Sequence, residues 1–226
     1  ATLSDIGAFA QTHFKDNAVI TTENFSQWVM EDCLIGNRPP WSAVGVQLTN
    51  NVKAFETMKL RFLNATHSAL SYAGLLCGFK FIHETLNDPA LERFATELMA
   101  KEAQPVTDTP NSVDIEHYQK SVLARFRNSS VPYSTAQVAT NGSLKLPQRI
   151  LPSIEAHRHN GDLPDRLCTV VAAWLACITD KDISEQFSDP VLPVSGFETC
   201  RGRADLVGQL ADDEEFTAEI DTKLSI

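Results

Sequence analysis

From Phe55 to Ile82 the chain runs twenty-eight residues without a proline, apolar on most of its circumference, and this stretch constrains the fold more than any other. Such a run reads as one long helix. At about 100° per residue, with Lys59 as zero, Glu56 falls at about 60°, His67 at about 80° and Asn64 at about 140°. The remaining turn carries Phe55, Met58, Phe62, Ala65, Ala69 and Ala73, and Leu63 and Leu70 intrude on the polar side. A helix that is apolar nearly all round is a buried one, and a buried lysine must be paired or neutralised. Four groups able to bind or move protons are therefore expected on one face of a core helix.

Two readings of that face follow. In one, Lys59 pairs with Glu56, Asn64 and His67 bond to neighbouring backbone, and nothing reacts, because structural ion pairs perturb titration as well. In the other, a lysine held dry takes a proton from an alcohol near neutral pH. Asn64 and His67 then hold the oxygen that changes between alkoxide and carbonyl. The neutral amide between two titratable groups favours the second.

Four blocks carry a resemblance. They are Glu23-Asn-Phe-Ser-Gln-Trp-Val-Met-Glu-Asp32, Arg38-Pro-Pro-Trp41, Lys59-Leu-Arg-Phe-Leu-Asn64-Ala-Thr-His67-Ser68 and Asn141-Gly-Ser-Leu-Lys145-Leu-Pro-Gln-Arg149. In this order they resemble the C-terminal half of the mannitol dehydrogenase family, the polyol-specific long-chain dehydrogenases that include mannitol 2-dehydrogenase and fructuronate (mannonate) reductase. The resemblance covers roughly the first two thirds of the chain and is only general beyond about Pro152. It implies that Lys59 is the general base in alcohol oxidation and general acid in ketone reduction. Asn64 would polarise the reacting carbonyl and His67 orient the substrate oxygen. Lys145 would bind the far part of an open-chain substrate, with Gln137 and Arg149 counted beside it. Gln137 stands where mannitol-oxidising members carry an arginine, and the Lys145-to-Arg149 ending is closer to fructuronate reductases. Geometry alone adds Glu56 as a proton relay, against the alternative of a plain salt bridge.

The resemblance further implies NAD or NADP as cofactor, no metal, and a nicotinamide-binding Rossmann domain N-terminal to this region. No Gly-x-Gly-x-x-Gly follows an expected strand here, so cofactor-binding residues are not assigned. The chain opens at Ala1-Thr-Leu-Ser without a methionine and is expected to be a fragment, inactive alone. The expected function is the substrate-binding and catalytic half of an oxidoreductase acting on a polyol or sugar acid of mannitol/fructose or mannonate/fructuronate type. The alternative is a stand-alone helical domain that has lost catalysis and binds sugar acids or a protein partner.

The expected fold is mainly α, a multi-helix domain that by resemblance matches the C-terminal domain of 6-phosphogluconate dehydrogenase. Residues 1–46 are expected to form a strand-containing segment left from the missing cofactor domain, and 47–226 the helical substrate domain. Val19–Thr22 and Phe25–Met30 read as short strands. The long helix should run from about Val52 to Leu86, bending near Gly74 or Gly78, whose spacing suits close approach of another helix. Further helices are expected from Pro89 to Lys101, Asp114 to Phe126, Thr135 to Thr140 behind a Ser134 capping box, Ile150 to His159, Leu167 to Thr179 and Phe216 to Lys223. Lys145 should follow a turn at Asn141-Gly142.

Net charge −10 argues against nucleic acid, whose phosphates demand Lys and Arg. No apolar run is long enough to span a membrane and no signal peptide is visible, so a cytoplasmic location is expected. Cys33, Cys77, Cys168, Cys177 and Cys200 are odd in number and lack Cys-x-x-Cys spacing; most read as small core hydrophobes. His157 and His159 would diverge by about 200° on a helix, and His13, His83 and His117 stand alone.

Overall fold

A computed structural model describes residues 3–12, 16, 18–20, 22–33, 36–192 and 200–225. Thirteen α-helical segments are found among them, with one pair of strands near the start. They are α1 (Leu3–Ala10), α2 (Val52–Met58), α3 (Ala65–Leu76), α4 (Ile82–Thr85), α5 (Pro89–Glu97), α6 (Ile115–Phe126) and α7 (Thr135–Ala139). After these come α8 (Gly142–Arg149), α9 (Leu151–His159), α10 (Asp165–Thr179), α11 (Lys181–Ser184), α12 (Ala204–Val207) and α13 (Glu214–Leu224). The mainly helical expectation holds.

The strands differ from expectation. Val19, Ile20 and Thr22 lie in irregular chain, and Thr21 is outside the described residues. The second expected strand forms three residues later, as β1 (Trp28–Glu31), and pairs in parallel with β2 (Val46–Thr49). A parallel pair needs a crossover of a dozen or more residues, supplied here by the stretch holding a 3₁₀ turn at Trp41–Val44. Local β-propensity found the first strand and missed its partner, which is defined only by that long-range pairing.

From Val52 to Leu76 the chain is one continuous helix, but not uniformly α. Asn51 caps it through its side chain on the Ala54 N–H. Between α2 and α3 lies a π-helical segment, Lys59–Asn64, closed at its end by the Ala65 N–H on Leu60 O. The helix stops earlier than expected, at Gly78, whose φ of 79° is left-handed. Gly78 N–H donates to Leu75 O and Phe79 N–H to Gly74 O, the paired bonds of a Schellman ending. Gly74 serves the close approach its spacing suggested. A Cβ there would lie 2.8 Å from Thr85 Cγ2 and 3.0 Å from Thr135 Cγ2.

Beyond Arg61 the long helix is buried on both sides. One core packs Ala65, Ala69, Tyr72 and Leu75 against Trp174, Val171 and Leu175 of α10, with Leu146, Ile150, Ile154, Phe216 and Ile220. The other packs Phe55, Met58, Phe62 and Leu70 against Met99, Ile82, Tyr118, Val122 and Phe126. The helix starting at Pro89 also turns π, at Leu98–Ala103. There Glu102 is buried, and its carboxylate accepts the N–H groups of Arg166 (2.9 Å) and Leu167 (2.8 Å). It thereby caps α10, whose own N-cap is Pro164 and offers no side-chain oxygen.

Asp88, Asp114 and Ser134 each cap a helix start through a side-chain oxygen; at Ser134 it accepts the Gln137 N–H, one half of the expected capping box, and Asp114 caps the helix it was expected to begin. The segment after Asn141 is not the expected turn: α8 begins at Gly142, launched by Asn141 in the left-handed region at φ 60°. Cys168, Cys177 and Cys200 are buried, and Cys33 and Cys77 are exposed. His157 is satisfied by Asp162 (3.0 Å) and Glu102 O (2.8 Å), and His159 by Glu155 O (2.7 Å). His13 lies outside the described residues.

Gly74→Ala should lower the free energy of unfolding by about 1–3 kcal/mol, as overpacking does. Denaturant titration checks this; an unchanged midpoint would mean that α3, α4 and α7 do not close on that glycine.

Candidate active site

The π segment rearranges the face that the sequence suggested. Its turns close by i→i+5 bonds, so Asn64 follows Lys59 by one π turn and comes nearer its azimuth than α-helical spacing allows. Insertions of this kind recur at functional sites.

Lys59 is exposed, which corrects the expectation of a buried amine. The reason is that the helix is amphipathic at its start: Lys53, Glu56 and Lys59 all face solvent, and most of its circumference is buried only past Arg61. Lys59 does not pair with Glu56. Glu56 instead bonds Lys53 at 3.1 Å, both side chains more than half exposed, and such pairs contribute little. Lys59 lines a cleft of about 380 Å³ together with Thr22, Glu23, Gln27, Tyr118 and Arg125. Arg125 holds the roof of that cleft: its guanidinium grips Glu23 at 2.6 and 2.9 Å and lies 3.9 Å from the Phe25 ring centre.

Two turns further along, His67 is stacked on Phe126 with ring centres 4.7 Å apart, and Tyr133 meets it edge-on at 5.4 Å. Its Nε2 is buried and has no hydrogen-bond partner among the described residues. Burial pushes the imidazole down to about 4, helped by the positive charges of Arg149, Lys145 and Arg125. Near neutral pH it is uncharged.

The α8 helix brings the other cations. Arg149 Nη1 donates to Ser68 Oγ at 3.1 Å and to the Asn64 carbonyl at 3.5 Å. Lys145 Nζ donates to Val138 O at 3.1 Å, half-buried. Burial lowers the proton affinity of both; for Lys145, Arg149 adds to the effect and Asp189 opposes it. Neither pairs with a carboxylate among the described residues. An otherwise acidic chain thus gathers positive charge beside a neutral imidazole, offset at Lys145 by Asp189 and at Arg125 by Glu23.

The structure therefore brings Asn64, His67, Lys145 and Arg149 together. Lys59 opens into the adjoining cleft, which shares α6 with His67 through Tyr118, Arg125 and Phe126. Glu56 is not joined to the group. Gln137 is exposed on α7, next to the Val138 carbonyl that holds Lys145. Sequence reasoning missed Arg125, Phe126 and Tyr133. Arg125 meets Glu23 across 102 positions, and no local pattern signals that. No group of three or more His, Cys, Asp or Glu among the described residues is placed to hold a metal. No helix among them is long and apolar enough to cross a membrane.

Residues 51–225 match the family described as mannitol dehydrogenase C-terminal domain. This chain belongs to the mannitol dehydrogenase family. Mannitol dehydrogenase 2 of Saccharomyces cerevisiae is 36% identical over 220 residues, spanning 91% of this chain and 44% of its own length. D-mannonate oxidoreductase of Escherichia coli is 38% identical over 179 residues, 79% of this chain and 37% of its own. A solved Pseudomonas fluorescens mannitol 2-dehydrogenase, in a ternary complex with NAD and D-mannitol, superposes with a TM-score of 0.74 at 29% identity, over 89% of this chain and 44% of that one. A D-sorbitol dehydrogenase superposes with a TM-score of 0.80 at 24% identity and shares the fold. The chain thus spans less than half the length of these relatives.

His67 binds fewer protons folded than unfolded between about 4 and 6.5, so its burial contributes stability above that window, lost as pH falls through it. His67→Gln should therefore lose less stability than the unsubstituted protein between those pH values, measured by thermal melts. Parallel acid limbs would show that the imidazole is not held neutral.

Proposed function

We propose that this chain is the substrate-binding and catalytic half of a metal-free, NAD- or NADP-dependent oxidoreductase that interconverts a secondary alcohol and a ketone on an open-chain polyol or sugar acid. The observation that carries this is the unpartnered, buried Nε2 of a neutral His67, set beside Asn64 and one face away from Lys59. A neutral imidazole can orient a hydroxyl without competing for its proton. Lys59 takes that proton in oxidation and returns it in reduction, and its exposure here leaves it in contact with solvent for re-protonation. Asn64 donates its amide to the oxygen as charge develops there. Lys145 and Arg149 hold the distal end.

The described residues offer no turn that fits a nucleotide's phosphates. The single strand-to-helix turn among the described elements, from β2 into α2, is Asn50-Asn51, and Asn51 spends its side chain capping the helix. A nicotinamide, held by a further part of a longer protein, would supply the hydride chemistry, and none of the described residues is assigned to hold it. That part would dock on residues 1–46, where Trp28 is 56% and Val44 79% exposed beside a two-stranded sheet, and 47–226 would form the substrate domain. On this reading Lys59 becomes enclosed only when that docking occurs, and the chain alone does not turn over.

Within the substrate class, two cations without carboxylate partners favour a sugar acid over a neutral polyol, since a carboxylate would satisfy both.

The test is the longer protein containing this chain. It should reduce fructuronate or tagaturonate with NADH or NADPH, and fructose less well. Lys59→Ala should cut kcat by about a hundredfold or more, and Lys145→Ala should chiefly raise KM. Inactivity across polyols and uronates would instead favour a binding module without catalysis.

A further inference from the structure

Asp189 is 5% exposed and makes no ion pair among the described residues. A buried, unpaired carboxylate is expensive, and its surroundings show what it holds. Oδ2 accepts the Ser143 N–H at 2.9 Å and the Trp174 Nε1–H at 3.3 Å; Oδ1 accepts the Val191 N–H at 3.3 Å. Ser143 lies in the first turn of α8, whose free N–H groups and dipole favour an anion. Next to it, Asn141 N–H donates to Ser188 O at 2.7 Å. The residue between them is Gly142, where a Cβ would lie 2.5 Å from both Trp174 Nε1 and Tyr72 Oη. The start of α8 is therefore seated on α10 and α3 with no side chain between, and pinned from the outside by residues 188 and 189.

We propose that Asp189 is the positioning residue for the distal substrate site: by fixing the first turn of α8 against Trp174, it sets where Lys145 and Arg149 meet the substrate. Lys145 stands two residues beyond Ser143, and Arg149 reaches from the far end of the same short helix to Ser68 and Asn64. A tilt at the α8 start moves both. Asp189 also acts on Lys145 through its charge. Facing that amine are Arg149 from α8, His67 from α3 and Asp189 from the 185–192 segment, and of these Asp189 alone supports the protonated form.

This inference rests on reading Lys145 and Arg149 as substrate-binding groups, and the test separates the two. In the longer enzyme, Asp189→Asn keeps the shape but cannot accept N–H bonds on both sides of its head group. KM for a sugar-acid substrate should rise about tenfold with kcat within about threefold. The alkaline rise in KM should begin at lower pH than in the unsubstituted enzyme. Amide hydrogen exchange over residues 142–149 should quicken relative to α10. A merely structural role would lower the melting temperature without moving the pH profile. Trp174→Phe, which removes one donor and leaves the carboxylate on Ser143, should shift KM and exchange in the same direction by less, and serves if Asp189→Asn does not fold. Unchanged KM, pH profile and α8 exchange would overturn the inference while the active enzyme stands. If Lys145→Ala leaves KM unchanged, or no substrate turns over, the site reading fails; exchange over 142–149 then decides the seating of α8, quickening upholding it and constancy overturning it.

Discussion

The hydrogen bonds from Arg149 to Ser68 and Asn64 join the two halves of the candidate site, and most of its geometry depends on them. They fasten the end of α8 to the junction where the long helix passes from π back to α. Without that crossing, α8 would still be held at its start, where Gly142 is seated against Tyr72 and Trp174, but the Arg149 end would lose its tie to the residues beside His67. With it, cations from α8 lie close enough to the imidazole to reinforce what burial already does. The result is a neutral histidine in positive surroundings, which neither a surface cluster nor a salt-bridged core would produce.

The π segment matters for a related reason. An extra residue in one turn re-aims the side chains beyond it without breaking the helix. Here it spans the passage from the solvent stripe of Lys53, Glu56 and Lys59 to the mostly buried stretch after Arg61, in which Asn64 and His67 are half-buried. Lys59 looks into the cleft under Glu23 and Phe25, while His67 stacks on Phe126 of α6 and the Asn64 carbonyl meets Arg149 of α8. A second π segment, at Leu98–Ala103, packs against the first and turns Glu102 inward to cap α10. Both irregularities lie where the two cores meet.

Much of this was legible in the sequence because it is local. The helix starts at Pro89 and behind Ser134 follow from local start signals, and the apolar circumference read from Phe55 onward announced a core helix, though its first turns proved amphipathic. The grouping of Asn64 with His67 followed from spacing along one helix. What was not legible is set by partners far away in sequence. Lys59 has apolar neighbours on either side, yet among the described residues it opens into a cleft instead of packing into a core, so composition overstated its burial. Glu56 found Lys53 instead, one turn behind and equally near. The β2 strand exists through its pairing with β1, and α8 exists because Gly142 fits against Trp174 and Tyr72 where a larger residue would not. Sequence rules read Asn-Gly as a stop; tertiary packing makes it a start.

The central claim is that a neutral imidazole and a solvent-connected lysine on one helix meet over a single substrate oxygen, with α8 cations at the other end of the molecule they hold. A crystal structure of the longer protein with mannonate bound tests this most directly. The account predicts the substrate's reacting hydroxyl within hydrogen-bond distance of His67 Nε2 and Lys59 Nζ, and its carboxylate against Lys145 and Arg149. A ligand seated elsewhere, with Lys59 still facing open solvent and His67 Nε2 still unpartnered, would contradict it.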